Sequence, residues 1–164
     1  IQHLHFEYSG QLVTSGGFGT MGFGLGAAIG AKAGNMDKPV VLITGDGSFG
    51  MNLNELSTVG YYKLPLIVVI FNNGTLGMVR QWQTLTCNGR YSATTLDRGP
   101  DFVKLAEAYG LKGCRVTDVA ELEAALEDAL AGKQATVIDC AIDIDEMVRP
   151  MVGGGSPITD FMVD

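Results

Sequence analysis

Two short stretches carry residues whose types and spacing could do chemistry. LITGDGSF, from Leu42 to Phe49, is an apolar run that ends in a single carboxylate, Asp46, fenced by Gly45 and Gly47 and followed by Ser48. FNNGTLGMVRQW, from Phe71 to Trp82, ends a second apolar run in two asparagines, and Asn73 lies 73 − 46 = 27 positions after the aspartate. A carboxylate and a side-chain carbonyl are hard oxygen donors of the kind Mg²⁺ or Ca²⁺ prefers. Glycines on both sides of Asp46 allow a backbone bend and leave amides uncovered, and Ser48 adds a hydroxyl. Exposed N–H groups of this sort cradle anions. A metal-bridged phosphate ligand satisfies both halves. Taken singly, each stretch has a structural explanation: an Asp after a strand is often a helix cap, and an Asn pair is often a turn.

The elements that must position these groups follow from periodicity. PVVLIT (39–44) and LIVVIF (66–71) are β-branched runs that read as strands buried on both faces, and 52–62, with Asn52 or Asn54 as candidate cap, reads as the helix between them. DFVKLAEAYG predicts a short helix closed by Gly110, CRV a short strand, AELEAALEDALAG an amphipathic helix closed by Gly132, and TVIDCAI a further strand. Alternation of this kind predicts an α/β fold: a mostly parallel sheet with helices on both faces. In such sheets ligands sit beyond the carboxyl ends of the strands, where Asp46 and Asn73 both fall, so they are expected to face one crevice. Residues 1–10 read as an arm or linker remnant and 11–164 as the binding domain. IQHLHFEYSG and VGGGSPITDFMVD read as irregular ends or as arms that pack on a neighbour.

Composition narrows the partners. At 164 residues and 46% hydrophobic content the chain is sized for one domain with a core. Glycine, 23 of 164 residues, is about 14% of the chain against an average near 7%. A net charge of −7 without a basic stripe argues against nucleic acid. The longest apolar stretch, Leu64 to Phe71, contains a proline and is far short of the roughly 20 residues a membrane helix needs. Cys87, Cys114 and Cys140 have no metal-like or disulfide-like spacing and read as reduced thiols of a cytoplasmic protein. The chain opens at Ile1 without a methionine and reads as a piece of something longer.

A rival reading rests on GGFGTMGFGLGAAIG. Gly17, Gly19 and Gly22 satisfy G-x-G-x-x-G after a possible short strand around Leu12 and Val13, and Asp46 lies 46 − 22 = 24 positions beyond Gly22. That is close to a dinucleotide-binding fingerprint, in which the acid would hold a ribose and the domain would serve a nicotinamide-dependent dehydrogenase. It leaves the asparagine pair unexplained. A third reading is a non-catalytic module that binds a cofactor or merely assembles. His3 and His5 read as surface histidines, and Arg80 and Arg90 as ordinary loop charges or as attractors of a ketoacid carboxylate.

GDGSF with NN at this distance resembles the thiamine diphosphate binding signature. TSGGFGTMGFGLGAAIGAK, GMVRQWQTL, RYSATTL, DFVKLAEAYG and PMVGGGSPITDFMVD are similar to the cofactor-binding domain of the acetohydroxyacid (acetolactate) synthase large subunit family, from about Gln11 to the end. The resemblance implies that Asp46, the Asn73 side chain and the Thr75 carbonyl bind Mg²⁺, with two diphosphate oxygens and a water as further ligands. Gly47 and Ser48 would contact the diphosphate. Met21 would wedge beneath the cofactor and hold its bent shape, and the Gly19 carbonyl would accept from the aminopyrimidine. Thr20, Gly45, Leu76 and Gly77 complete the cofactor-binding positions. Met78 and Val79 would lie near the reacting carbon, and Trp82 would bear on the choice of the second 2-ketoacid. The implied reaction is decarboxylating condensation of pyruvate with pyruvate or 2-ketobutyrate, in branched-chain amino acid biosynthesis.

The same resemblance implies partners. The glutamate that activates the cofactor comes, in the family, from a pyrimidine-binding domain of another subunit, so a homo-oligomer is expected. None of Glu7, Glu55, Glu107, Glu121, Glu123, Glu127 and Glu146 lies in a matching motif. FAD accompanies the full-length enzymes and is expected to bind largely outside this chain. No partner of nucleic-acid or membrane type is expected.

Overall fold

The structure, a computed structural model, describes residues 3–162. Its centre is a four-stranded parallel sheet of β1 (Val41–Gly45), β2 (Ile67–Asn72), β3 (Lys112–Val116) and β4 (Thr136–Ala141), in the order β1-β2-β4-β3. The register pairs Val41 with Ile67, Ile67 with Thr136, and Lys112 with Thr136, so the carboxyl ends of all four strands open on one side. β2 and β4 are the interior strands, and their sequences IVVIFN and TVIDCA are almost wholly buried, as a strand covered on both faces requires.

Alternation along the strands divides the core. Leu42, Val68, Ile70 and Val137 point to one face, where they meet α1 (Phe23–Gly34), α2 (Asp46–Gly50), α3 (Leu56–Tyr62) and α5 (Phe102–Ala108) through Leu25, Phe49, Leu56, Val59, Phe102 and Ala106. Val69, Val116, Ile138 and Cys140 point to the other, where α6 (Val119–Ala131) supplies Ala129 and Leu126. Helices therefore cover both faces, as the alternation of elements predicts.

Local chemistry sets the helix ends. Asp101 accepts hydrogen bonds from the amides of Val103 and Lys104 at the start of α5. Asp118 accepts from Glu121 N while Glu121 reaches back to Thr117 N at 2.7 Å, a reciprocal arrangement like a capping box. Gly110 follows α5 with φ +74°, the left-handed geometry expected of a closing glycine, whereas Gly132 closes α6 in extended backbone.

The helix expected over 52–62 divides into a 3₁₀ turn at Leu53–Glu55 and α3, and neither asparagine side chain caps it: Asn54 bonds Glu55 instead. The bend expected at Asp46 is itself a turn of helix, α2. No strand forms at Leu12 and Val13, which are 40% and 57% exposed, because nothing packs on so short an apolar pair. The fingerprint glycines therefore lead into α1 without the preceding strand the dinucleotide motif needs. α4 (Gly77–Thr86) leaves the sheet after β2, and Met151–Val152 (β5) pairs antiparallel with Phe161–Met162 (β6) in the C-terminal segment. His3 and His5 are exposed, and among the described residues no helix is long and apolar enough to cross a membrane.

Candidate cofactor site

Asp46 begins α2 directly beyond β1 and is only 7% exposed. Burial holds its carboxyl above the usual range, the Gly47 and Gly74 amides and its own amide oppose that rise, and the nearby charge of Asp139 adds to it. None of the ion pairs among the described residues involves Asp46. A buried carboxylate with only backbone amides beside it and no cation is suited to a positively charged ligand.

The turn beyond β2 faces it. Asn73 Oδ1 accepts from Thr75 N at 3.2 Å, and Gly74 takes φ +65°, which a side chain would oppose. Thr75 is buried, and its hydroxyl donates to the Thr94 carbonyl at 2.8 Å. Leu76 N donates to the same carbonyl and Leu96 N to the Gly74 carbonyl, so residues 94–96 clamp the turn as an extra antiparallel rung. The carbonyl of Thr75 accepts none of these bonds and is a candidate oxygen donor. Among the described residues no group of three or more His, Cys, Asp and Glu side chains could hold a metal. One carboxylate, one amide oxygen and one backbone carbonyl are the donors at hand, and they fit a hard cation that keeps other ligands.

The glycine-rich segment closes on the same place. Gly22, with φ +83°, caps α1, and its amide donates to Ser48 Oγ at 3.0 Å. Gly19, at φ +60°, is held by its amide to the Ser15 carbonyl, and Thr20 N donates to Ser15 Oγ. A Cβ on Gly47 would lie 2.8 Å from Leu76, 3.1 Å from Leu96 and 3.6 Å from Met21, so those three side chains converge over the Asp46 turn and would have to shift to admit one. A cavity of about 730 Å³ opens beside Asp46 and Gly47, bounded by Asn72, Met51, Thr95 and Arg98.

Thus Gly19, Thr20, Met21, Gly45, Asp46, Gly47, Ser48, Asn73, Thr75, Leu76 and Gly77 fall on two strand ends and the turn that packs against them. Met78 and Val79, each 45% exposed, stand on the first turn of α4, and Trp82 is half-buried one turn further. Gln81 points elsewhere: it is buried, exchanges both hydrogen bonds with the Val148 backbone, and ties the C-terminal segment to α4. Residue type and spacing alone assign no role to Asn72, Gln81 or the 94–96 rung. The doubled asparagine is the one available signal for Asn72. Burial pushes the Cys140 thiol up to about 11, so it carries no thiolate chemistry near neutral pH.

A parallel α/β domain with uncovered amides and polar side chains at adjoining strand ends belongs to the class that binds phosphorylated cofactors beyond the carboxyl ends of its strands. The particular family is settled by comparison. Residues 1–140 match the family model of the thiamine pyrophosphate enzyme C-terminal TPP binding domain, and the chain belongs to that family. It is 44% identical over 162 residues to the acetolactate synthase large subunit of Haemophilus influenzae, covering 98% of this chain and 28% of that protein. It is 44% identical over 161 residues to the mitochondrial acetolactate synthase catalytic subunit of Saccharomyces cerevisiae, covering 98% of this chain and 23% of that one. Among solved structures, the thiamine diphosphate-dependent 4-hydroxybenzoylformate decarboxylase of Rhodococcus jostii RHA1 superposes with a TM-score of 0.70 at 35% identity, over 76% of this chain and 24% of that chain. The chain thus spans about a quarter of the length of these relatives.

Proposed function

We propose that this chain is the diphosphate-holding part of an acetolactate synthase, an enzyme that joins pyruvate to pyruvate or 2-ketobutyrate with loss of carbon dioxide. The observation that carries the reading is the buried, cation-free Asp46 facing the Asn73–Thr75 turn across adjacent parallel strand ends. Asp46, Asn73 Oδ1 and the Thr75 carbonyl would hold Mg²⁺, and Gly47 N and Ser48 would hold the diphosphate. A diphosphate approaching a chain of net charge −7 is repelled unless a cation intervenes, so metal and cofactor bind together. Thiamine diphosphate, when bound, supplies the carbanion stabilisation that decarboxylation of a 2-ketoacid requires. The chain's own residues orient and dry the site: Met21, packed over Gly47, props the cofactor, Gly19 and Thr20 line its approach, and Met78 and Val79 border the reacting end. A pyrimidine-binding domain of another subunit completes the site in a homo-oligomer, and FAD of the whole enzyme binds outside this chain.

Calorimetry tests the reading against the dehydrogenase alternative. Heat of binding is expected for thiamine diphosphate only with Mg²⁺ present, with none for NAD⁺. Binding of NAD⁺, or cofactor binding indifferent to a chelator, would overturn it.

The exposed face of α4 bears on acceptor choice. In the assembled enzyme Trp82→Leu is expected to lower the preference for 2-ketobutyrate over pyruvate about tenfold, since one methylene in an apolar pocket is worth ~10-fold or more. Competition of the two acceptors, read as the product ratio, checks this. A ratio equal to that of the unaltered enzyme assigns Trp82 to packing alone.

A further inference from the structure

The first asparagine of the pair belongs to a chain of polar contacts that runs across three strands behind the metal donors. Asp139, in the middle of β4, is 0% exposed. Its Oδ2 accepts from both Arg115 Nε at 3.0 Å and Nη2 at 2.9 Å, charge-assisted bonds that converge on one oxygen, and Arg115 is its direct register partner on β3. Its Oδ1 accepts from Asn72 Nδ2 at 2.9 Å across β2. A carboxylate gripped by Arg115 can only accept, so it fixes which end of the Asn72 amide turns towards it. The other end, Asn72 Oδ1, is thereby aimed at Gly74 N, which donates to it at 3.3 Å. Gly74 N is also one of the three backbone amides that stabilise the Asp46 charge. Asn72 borders the cavity beside Asp46, and Arg115 extends outward to Asp101, the cap of α5.

We infer that Asp139, locked by Arg115, is a positioning residue that orients Asn72 and through it holds the Asn73–Gly74–Thr75 turn in the shape that presents the metal-binding oxygens. The inference rests on the proposed Mg²⁺ and thiamine diphosphate site, and it explains the doubled asparagine: Asn73 offers a ligand, Asn72 holds the turn. A buried carboxylate is costly to keep without strong partners, so one whose free oxygen is spent on a single amide is a precise device for setting that amide.

The test uses the 164-residue chain with three variants: Asp139→Asn, Asn72→Asp and the double exchange. Asp139→Asn weakens the grip of Arg115 and lets the amides rotate; Asn72→Asp sets two carboxylates against each other. In the double variant the amide now on β4 accepts from Arg115 and donates to the carboxylate now on β2. The second oxygen of that carboxylate accepts from Gly74 N, so the connections are restored. Two quantities are read: Mg²⁺ affinity by calorimetry at saturating thiamine diphosphate, and hydrogen exchange of the Gly74 and Thr75 amides without ligand. Each single variant is expected to weaken Mg²⁺ binding ~10- to 100-fold, the usual cost of losing a contact behind a metal ligand, and to speed Gly74 exchange. The double variant is expected to recover both. If a single variant fails to fold, Asn72→Ala, which leaves the Arg115–Asp139 pair intact, carries the same expectation. Unchanged affinity and exchange in folded single variants, or no recovery in the double, overturns the inference while leaving the site reading in place. Absence of Mg²⁺-dependent binding by the unaltered chain overturns that reading, and the positioning role with it.

Discussion

Asp46→Ala is expected to lower Mg²⁺-dependent thiamine diphosphate affinity by more than about 100-fold while leaving the fold intact. Losing a contact behind a metal ligand already costs ~10- to 100-fold, and this substitution removes the one charged side chain among the proposed ligands. The fold survives because the carboxylate opposes it. Burial raises the Asp46 pKa above its value in the unfolded chain, so ionisation costs stability at every pH above the folded-state value and nothing below the unfolded one. Stability from this group therefore falls as pH rises through that window, and the alanine variant lacks that dependence. Protons also compete with the metal: Mg²⁺ affinity of the unaltered chain is expected to decline on acidification from a higher pH than an exposed aspartate would give. Calorimetry across pH and thermal unfolding of both proteins check these points. Undiminished affinity in a folded alanine variant would falsify the assignment of Asp46 to the metal.

The second large effect concerns turnover. The chain alone is expected to form acetolactate from pyruvate at a rate at least ~10³-fold below that reached when a pyrimidine-binding domain is added, because a positioned acid–base partner contributes ~10²- to 10⁴-fold. At the cavity the carboxylates are Asp46, the proposed metal ligand, and Asp97, whose side chain is 72% exposed and too well solvated to act as a held proton donor. The glycine-rich turn opposite is open: Phe18 is 98% exposed and Met21 and Phe23 about 40%. A cofactor resting there meets water on one side, which forfeits the orientation and the low-dielectric setting on which charge-forming steps depend. The same exposed apolar turn favours self-association at high concentration. The assay takes the purified chain with pyruvate, Mg²⁺ and thiamine diphosphate, then adds the separately expressed domain. Vigorous product formation before the addition sinks the half-site view, and none after it favours a non-catalytic binding module.

The sequence by itself determined the sheet and the edge of it at which the candidate donors gather. β-branched runs ending at Thr44 and Phe71 can be satisfied only as strands covered on both faces, and a helical crossover between them puts their carboxyl ends, and so Asp46 and Asn73, side by side. It also separated the asparagine pair from a plain turn, through the fixed distance from the aspartate. It could not reject the dinucleotide fingerprint, because glycine spacing is indifferent to whether Leu12 and Val13 find a strand partner; that depends on packing with residues far along the chain. Nor could it assign Asn72, Arg115 and Asp139, which are 43 and 24 positions apart in sequence (115 − 72 and 139 − 115) and meet only because β4 inserts between β2 and β3. The clamp of residues 94–96 on the Thr75 turn and the hydrogen bond from Gly22 to Ser48 have the same character. Residue type and spacing specify which donors exist; which donor faces which acceptor across strands depends on register and sheet order, and these arise only when the separate apolar faces are buried together.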